Sequence, residues 1–187
     1  ISRGLLISGN AGMGKTHWVQ QAFEATGCKK RVQYVKGSSL TAAAMFCLLY
    51  ESRAKGDIIV FDDTDLIHKS SGEVATILDM LKGATEPTMG ERMLSWHRAS
   101  ANPLMIQNNV PMSYDFQGSI IWITNDSIED MRKKTKGHWN AISSRFTQIE
   151  AWFEDHEKIA YTIHLIDHSK VMLALHHFLW VVHHIIS

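Results

Sequence analysis

The order of segments along this chain predicts an α/β domain built on a parallel β-sheet. Largely apolar runs at 57–61 and 119–124 are typical of strands that are buried on both faces of such a sheet. Helical patterns lie between the strand patterns, as the crossover connections of parallel strands require. A glycine-rich segment, 9–16, joins the first strand to the first helix. We therefore expect a ligand site at the carboxyl ends of the strands.

Five strand patterns alternate with helical patterns over most of the chain. The predicted strands lie at 4–8, 31–36, 57–61, 119–124 and 148–152. The predicted helices lie at 16–26, from 37–39 to about 55, from 71–73 onward, at 127–134 and at 140–145.

The second and third helices carry clear local signals. Gly37, Ser38 and Ser39 supply a turn and an N-cap for the second helix, and Gly56 follows its predicted end near Lys55. In the third helix the apolar residues share one face, which is expected to pack on the core: Val74, Ile77, Leu78 and Leu81.

Two parts of the chain stand outside this alternation. From 82 to 117, prolines at 87, 103 and 111 interrupt every period, so a long loop or a hairpin-bearing insertion (83–117) is predicted. From 154 onward the pattern is mostly helical. We therefore divide the chain into a core of residues 1–153 and a small helical subdomain, a lid, of residues 154–187.

The composition is typical of a cytoplasmic protein with one main domain. Of the 187 residues, 45% are hydrophobic, which is enough for one core and a small appendage. The formal net charge is zero, so only local patches could attract nucleic acid. Cys28 and Cys47 are too few for a disulfide framework or a zinc site, and no apolar run approaches the ~18 residues of a membrane span. We expect a cytoplasmic protein that does not engage a membrane. Because Ile1 leads almost directly into a strand, we also expect a fragment of a longer protein.

Residues 9–16 complete the pattern G-x-x-x-x-G-K-[ST] of a phosphate-binding loop. In such a loop, backbone N–H groups surround phosphate oxygens at a helix N-terminus, where the helix dipole adds positive potential. The residues expected to bind nucleotide are Gly9, Asn10, Ala11, Gly12, Met13, Gly14, Lys15 and Thr16. Lys15 is expected to reach the β- and γ-phosphates, and Thr16 to ligate Mg²⁺. The alternative is an ordinary glycine-rich turn.

Polar residues follow two of the buried strands. We expect Asp62 to hold Mg²⁺ through its water shell and Asp63 to orient the attacking water. Asn125 could position the same water against the γ-phosphate, since its strand should lie between the strand of the loop and that of the acidic pair. The alternatives are a solvated loop start for the acidic pair and an ordinary turn for Asn125. Asp65 is equally well explained as a cap or turn residue.

Arg145 comes just before the last predicted strand and is the final arginine of the chain. A guanidinium group in this position could extend to a neighbouring subunit and neutralise charge on its γ-phosphate in the transition state. The alternative is a surface salt bridge.

These residues together resemble the AAA+ ATPase family over essentially the whole chain. Residues 9–16 resemble its Walker A motif, 61–65 its Walker B motif, and 48–57 the helix that leads into Walker B. Asn125 is similar to sensor 1, and Arg145 within Ser-Arg-Phe is similar to the arginine finger. The resemblance implies a three-layer αβα domain of the P-loop NTPase type, with a five-stranded parallel sheet and a helical lid. It also implies ATP and Mg²⁺ bound between subunits of a homo-oligomer, a ring or spiral that is commonly a hexamer.

Three features depart from the family pattern. Asp63 stands where the family usually has glutamate, so its shorter side chain is expected to slow hydrolysis. An aromatic-glycine pore loop is missing, and only Met45 and Phe46 could substitute, which argues against threading of a polypeptide. No arginine follows Arg145, so sensor 2 of the lid is expected to be replaced by Lys170 at best or to lie beyond Ser187.

A basic cluster could contact nucleic acid next to an aromatic side chain. It consists of Arg132, Lys133, Lys134 and Lys136, with Trp139 nearby. Such a cluster could bind phosphates of single-stranded or duplex DNA while a base stacks on the indole. The alternative is a solvated helix face.

Two further groups of residues carry weaker signals. The insertion could contact a nucleic-acid strand or a partner subunit, or it could pack its tryptophan under a long loop: the residues are Arg92, Trp96, His97 and Arg98. A histidine group in the lid lacks the third ligand that a metal site needs: His176, His177, His183 and His184.

The sequence therefore predicts an oligomeric ATPase of AAA+ type that remodels a macromolecule, with DNA replication preferred as the setting. Three alternatives stay open. The first is a viral-type helicase of superfamily 3, the second a monomeric phosphotransferase of the same broad fold, and the third a regulatory subunit that binds ATP without hydrolysing it.

Overall fold

A computed structural model describes residues 4–160, except 27–31, 38, 65, 68–70, 88–89, 98–99, 155 and 158–159. The strands are β1 (Gly4–Gly9), β2 (Val32–Lys36), β3 (Ile58–Asp62), β4 (Met93–Ser95), β5 (Ser113–Asp115), β6 (Ser119–Thr124) and β7 (Phe146–Ala151). The α-helices are α1 (Lys15–Thr26), α2 (Ala42–Glu51), α3 (Ser71–Ala84), α4 (Pro103–Gln107), α5 (Ile128–Thr135) and α6 (Trp139–Ser143). A 3₁₀ turn, Lys136–His138, joins α5 to α6.

The main sheet has five parallel strands in the order β2-β3-β6-β1-β7. The predicted parallel α/β architecture is therefore confirmed. β6 lies between β1 and β3, as the sequence predicted, so the residues that follow these three strands meet at one edge. The register pairs Ser8 with Thr124 and Asp62 with Ile123.

Helices cover both faces of this sheet. On one face, Val19 and Phe23 of α1 pack against apolar side chains of the central strands, among them Ile7, Val60 and Ile123. The opposite face packs against α2, α3 and α6 through a larger cluster that includes Phe61 and Trp122. Because β3 and β6 are covered on both sides, their sequences are continuous apolar runs rather than alternating ones.

The bounds of α2 differ from the prediction at both ends. Thr41, and not a residue of 37–39, is the N-cap, because its hydroxyl accepts the Ala44 N–H at 3.2 Å. The helix ends at Glu51 instead of near Lys55. Beyond that point the Asp57 carboxylate accepts the Ala54 N–H at 3.1 Å, which stabilises a turn in place of another helical turn.

The insertion contains the predicted hairpin and a helix that was not predicted. β4 and β5 pair antiparallel, with Leu94 opposite Tyr114. α4 begins where the Asn102 side chain accepts the Leu104 N–H at 3.0 Å and Pro103 occupies the first turn. An Asn-Pro pair is a known helix start. This pair is a helix-start signal visible in the sequence, and Pro103, predicted to interrupt the helical pattern, instead begins α4.

Several side chains considered for contacts with partners lie in the core. Met45 and Phe46 are fully buried in α2, so the proposed substitute for a pore loop is wrong. Trp96 is buried against Phe46, with ring centroids 5.6 Å apart, and its packing alternative is correct. Arg92 is also buried, and its guanidinium donates to the carbonyl oxygens of Ala84 (2.6 Å) and Gly118 (3.2 Å).

Most of the predicted lid lies outside the described residues, and with it Lys170 and the four histidines considered above. Within the described ranges, each helix is too short or too polar to cross a bilayer.

Gly118→Ala should lower the free energy of unfolding by about 1–3 kcal/mol, because the added Cβ would lie 2.3 Å from the Ser52 carbonyl oxygen. Gly72→Ala is the matched control. Its Cβ would meet nothing within 4 Å inside α3, so a gain of up to about 1 kcal/mol is expected. Urea denaturation of both variants measures the difference, and an equal effect on stability would contradict the close approach at Gly118.

Candidate functional site

The carboxyl ends of β1, β3 and β6 bring the predicted site residues together. The loop between β1 and α1 lies beside Asp62 at the end of β3 and Asn125 just after β6. This clustering follows from the strand order, because parallel neighbours end at the same edge.

The loop conformation depends on its glycines. Gly12 and Gly14 have φ values of 79° and 74°, in the left-handed region that other residues rarely adopt. At Gly9 a Cβ atom would lie 2.1 Å from the Ala151 carbonyl oxygen, so β7 approaches too closely for a side chain. The Trp18 N–H donates to the Gly14 carbonyl at 2.9 Å and closes the first turn of α1. The first N–H groups of a helix have no acceptor within it, so this end of α1 can receive an anion.

Lys15 joins the loop to β6. Its side chain is buried, and its ammonium group donates to the carbonyl oxygens of Gly9 and Asn10, both at 2.9 Å, and to Asn125 Oδ1 at 2.7 Å. Burial lowers the pKa of Lys15, and the carboxylates of Asp63 and Asp62 act in the opposite direction. A buried ammonium group with polar partners is held in place for a strong anion.

Thr16 and Asp62 form an oxygen pair. The Thr16 hydroxyl donates to Asp62 Oδ1 at 2.7 Å, and Asp62 is buried. Hydroxyl and carboxylate oxygens are the ligands that Mg²⁺ prefers. Among the described residues no group of three or more His, Cys, Asp or Glu side chains could hold a metal. Two protein oxygens fit Mg²⁺, since this ion keeps several waters and shares its ligands with phosphate.

Asp63 has an unusual backbone. Its φ is 48°, and its N–H donates to the Ile123 carbonyl at 3.2 Å, which directs the chain across the end of β6. Aspartate and asparagine tolerate this left-handed conformation better than longer residues do. The exposed Asp63 lines a cleft of about 160 Å³ together with Thr124 and Asn125. The left-handed backbone thus offers a physical reason for aspartate at a position where the AAA+ family, which this chain resembles, usually has glutamate.

Asn125 has a defined orientation. Because its Oδ1 accepts from Lys15, its NH₂ group is directed elsewhere and remains a donor. The turn after it is fixed by two further bonds: the Asp126 N–H donates to Thr124 Oγ1 at 3.1 Å, and Lys134 pairs with the Asp126 carboxylate at 2.7 Å.

Arg145 is engaged within its own chain. Its Nη2 and Nε donate to Glu86 Oε2 at 2.6 and 3.1 Å, and its Nη1 donates to the Ala141 carbonyl at 2.9 Å. The side chains of Arg145 and Glu86 are 23% and 35% exposed. This isolated chain therefore has the salt bridge that was the alternative to a role between subunits.

The basic cluster is partly neutralised by neighbouring acids. Lys133 pairs with Glu129 at 2.8 Å, four residues earlier in α5, and Lys134 pairs with Asp126. Trp139 packs in the core and is 7% exposed, which argues against a base stacking on its ring. Arg132 remains exposed on α5.

Two residues that contact predicted site residues were not themselves predicted from the sequence. Lys36 ends β2 with its ammonium group 3.8 Å from Asp62 Oδ2, and Glu86 holds Arg145. For Lys36 a signal existed, because parallel pairing of the predicted second and third strands places their ends side by side. Glu86 gave no signal, since it lies 59 residues from Arg145 in an irregular segment.

No protein-family model matches this chain. It is similar to an uncharacterized 36.7 kDa protein from the nrdC-mobD intergenic region of Enterobacteria phage T4, with 26% identity over 161 residues. The match covers 84% of this chain and 47% of the phage protein, so the chain spans about half the length of that relative. The name of the relative states no activity.

A double-mutant cycle on Arg145→Ala and Glu86→Ala should give a coupling energy of roughly 0.2–1 kcal/mol in unfolding experiments. The value is modest because solvent reaches both side chains. The Lys133–Glu129 pair is more exposed and serves as control, with at most about 0.5 kcal/mol expected. A coupling energy of zero for Arg145 and Glu86 would show that the ion pair does not contribute to stability.

Proposed function

We propose that this chain binds ATP with Mg²⁺ and hydrolyses it as an ATPase of AAA+ type. The observation that carries the proposal is the meeting of four side chains at one edge of a parallel sheet: Lys15, Thr16, Asp62 and Asn125. Lys15 and Thr16 are neighbours at the start of α1, whereas Asp62 ends β3 and Asn125 follows β6. An ordinary glycine-rich turn would not require polar partners from two other strands.

Binding begins at the loop. The N–H groups at the start of α1 would surround the phosphate oxygens, with the helix dipole adding to their attraction. Lys15 now donates to two carbonyl oxygens and one amide oxygen, and all three acceptors are weaker than a phosphate. We expect its ammonium group to turn to the β- and γ-phosphates, the strongest acceptors within reach of the loop.

Thr16 and Asp62 would hold Mg²⁺, the first directly and the second through the ion's water shell. When bound, this ion neutralises charge on the phosphates. The Thr16 hydroxyl uses its proton for the hydrogen bond to Asp62 Oδ1, so the lone pairs of its oxygen remain available to the ion. This hydrogen bond also holds the two side chains together at the proposed metal position.

Hydrolysis would depend on Asp63 and Asn125, which line one cleft. The Asp63 carboxylate accepts a hydrogen bond from the attacking water and so orients it. The NH₂ group of Asn125 supplies a donor for that water or for the γ-phosphate. The short Asp63 side chain must reach the water from a fixed left-handed backbone, which supports slow turnover.

The same proposal includes assembly into a homo-oligomer, with Arg145 acting on the γ-phosphate of a neighbour. The Glu86 ion pair would have to open first, so a phosphate would compete with one carboxylate for the guanidinium. DNA replication is the proposed setting, and single-stranded or duplex DNA the proposed partner. Arg132, exposed on α5, supports that partner, whereas Lys133 and Lys134 are already paired.

Lys15→Ala should weaken ATP binding about 10- to 150-fold, the loss expected for hydrogen bonds to a charged group. Isothermal titration calorimetry with ATP and Mg²⁺ measures this. Lys133→Ala, a charge removal on the exposed face of α5, is the control and should bind as wild type does. Unchanged affinity in a folded Lys15→Ala protein would refute the loop assignment.

Asp63→Asn should keep ATP affinity within about threefold while turnover falls roughly 10²- to 10⁴-fold. Asparagine tolerates the left-handed backbone and keeps the size of the side chain, so only the charge is lost. Phosphate release under single-turnover conditions, compared with calorimetric affinity, separates the two effects. Full activity in this variant would remove Asp63 from the reaction. If the wild-type protein itself binds ATP but shows no turnover, the non-hydrolysing regulatory subunit is favoured instead.

A further inference from the structure

Lys36 lies beside Asp62, and none of the roles proposed above uses it. The two residues are register partners in the β2–β3 pairing, and the next N–H, that of Gly37, donates to the Asp62 carbonyl at 3.1 Å. The Thr64 hydroxyl also donates to the Val35 carbonyl at 2.9 Å. Hydrogen bonds at the residues just before and just after Lys36 thus fix its backbone against β3. Only its long side chain is free to change position.

The two oxygens of the Asp62 carboxylate face different partners. Oδ1 accepts the Thr16 hydroxyl at 2.7 Å, whereas Oδ2 lies 3.8 Å from the Lys36 ammonium group. The Lys36 side chain is 59% exposed and that of Asp62 is 9% exposed. A mostly solvated cation therefore lies beside a buried anion that is proposed above to hold Mg²⁺.

We propose that Lys36 competes with the divalent cation for Asp62 and so sets the cation concentration at which the site fills. This inference rests on the proposed function. Two positive charges near one carboxylate repel each other, so the incoming cation must displace the ammonium group. The flexible, mostly exposed stem allows that displacement, at the cost of the contact between the ammonium group and the Tyr34 ring, whose centroid lies 5.7 Å away.

The size of the effect follows from the exposure of Lys36. Ion pairs with an exposed partner are weak and are screened by salt, so the competition is worth a few-fold in cation affinity and shrinks at high ionic strength. A lysine that instead held the Asp62 carboxylate in its binding orientation would have the opposite sign, because its removal would weaken cation binding. The direction of the change thus separates the two roles.

The test uses Mn²⁺ as the probe, since the free ion gives an electron paramagnetic resonance signal that disappears on binding. The full chain is titrated with Mn²⁺ in the presence of a slowly hydrolysed ATP analogue. Lys36→Met should lower the dissociation constant for Mn²⁺ about two- to fivefold, and Lys36→Gln should do the same. Lys36→Arg keeps the charge and should stay within twofold of wild type. Lys133→Met removes a lysine from the exposed face of α5 and should leave the constant unchanged.

Weaker or unchanged Mn²⁺ binding in both charge-removing variants, with wild type binding normally, would overturn the role of Lys36 and leave the proposed function standing. Equal tightening in Lys133→Met would also overturn it, because any loss of positive charge would then have the same effect. If wild type binds neither Mn²⁺ nor the analogue, the proposed function fails and this inference fails with it.

Discussion

The buried ammonium group of Lys15 is the interaction on which the candidate site depends. A charge in this position is costly unless polar groups surround it, and here two loop carbonyls and the Asn125 amide do so. Of these three hydrogen bonds, the one to Asn125 joins the loop to the end of β6, and the other two stay within the loop. Loop shape, strand order and the orientation of Asn125 are therefore linked, because each supplies or positions an acceptor for one cation.

Charge balance at the sheet edge extends this arrangement to a second lysine. Burial lowers the pKa of Lys15, the carboxylates of Asp63 and Asp62 offset part of that shift, and Lys36 faces Asp62 from the other side. An edge with two carboxylates and two ammonium groups is close to neutral. The Mg²⁺ of a metal-nucleotide complex would offset part of the negative charge that the phosphates bring to this edge.

Much of the core could be predicted from local patterns. The apolar runs of β3 and β6 and the apolar face of α3 are direct consequences of burial, so their periodicity is visible in the sequence. Other details could not be predicted. α2 starts at Thr41 because that hydroxyl, and not a residue of 37–39, caps the helix. Trp139 looked available for stacking, but it packs in the core, and only the three-dimensional course of α5 and α6 decides that.

The sequence by itself was enough to predict a phosphate-binding loop, because the glycines, Lys15 and Thr16 are adjacent in the chain and the geometry of such a loop is local. Only the tertiary structure decided which atoms are in contact. The sequence predicted that Asn125 and Asp62 lie beside the loop, whereas the hydrogen bond from Lys15 to Asn125 Oδ1 and the pairing of Arg145 with Glu86 across 59 residues appear only in the fold. Such contacts depend on side-chain orientation and on the course of the whole chain, which no local pattern encodes.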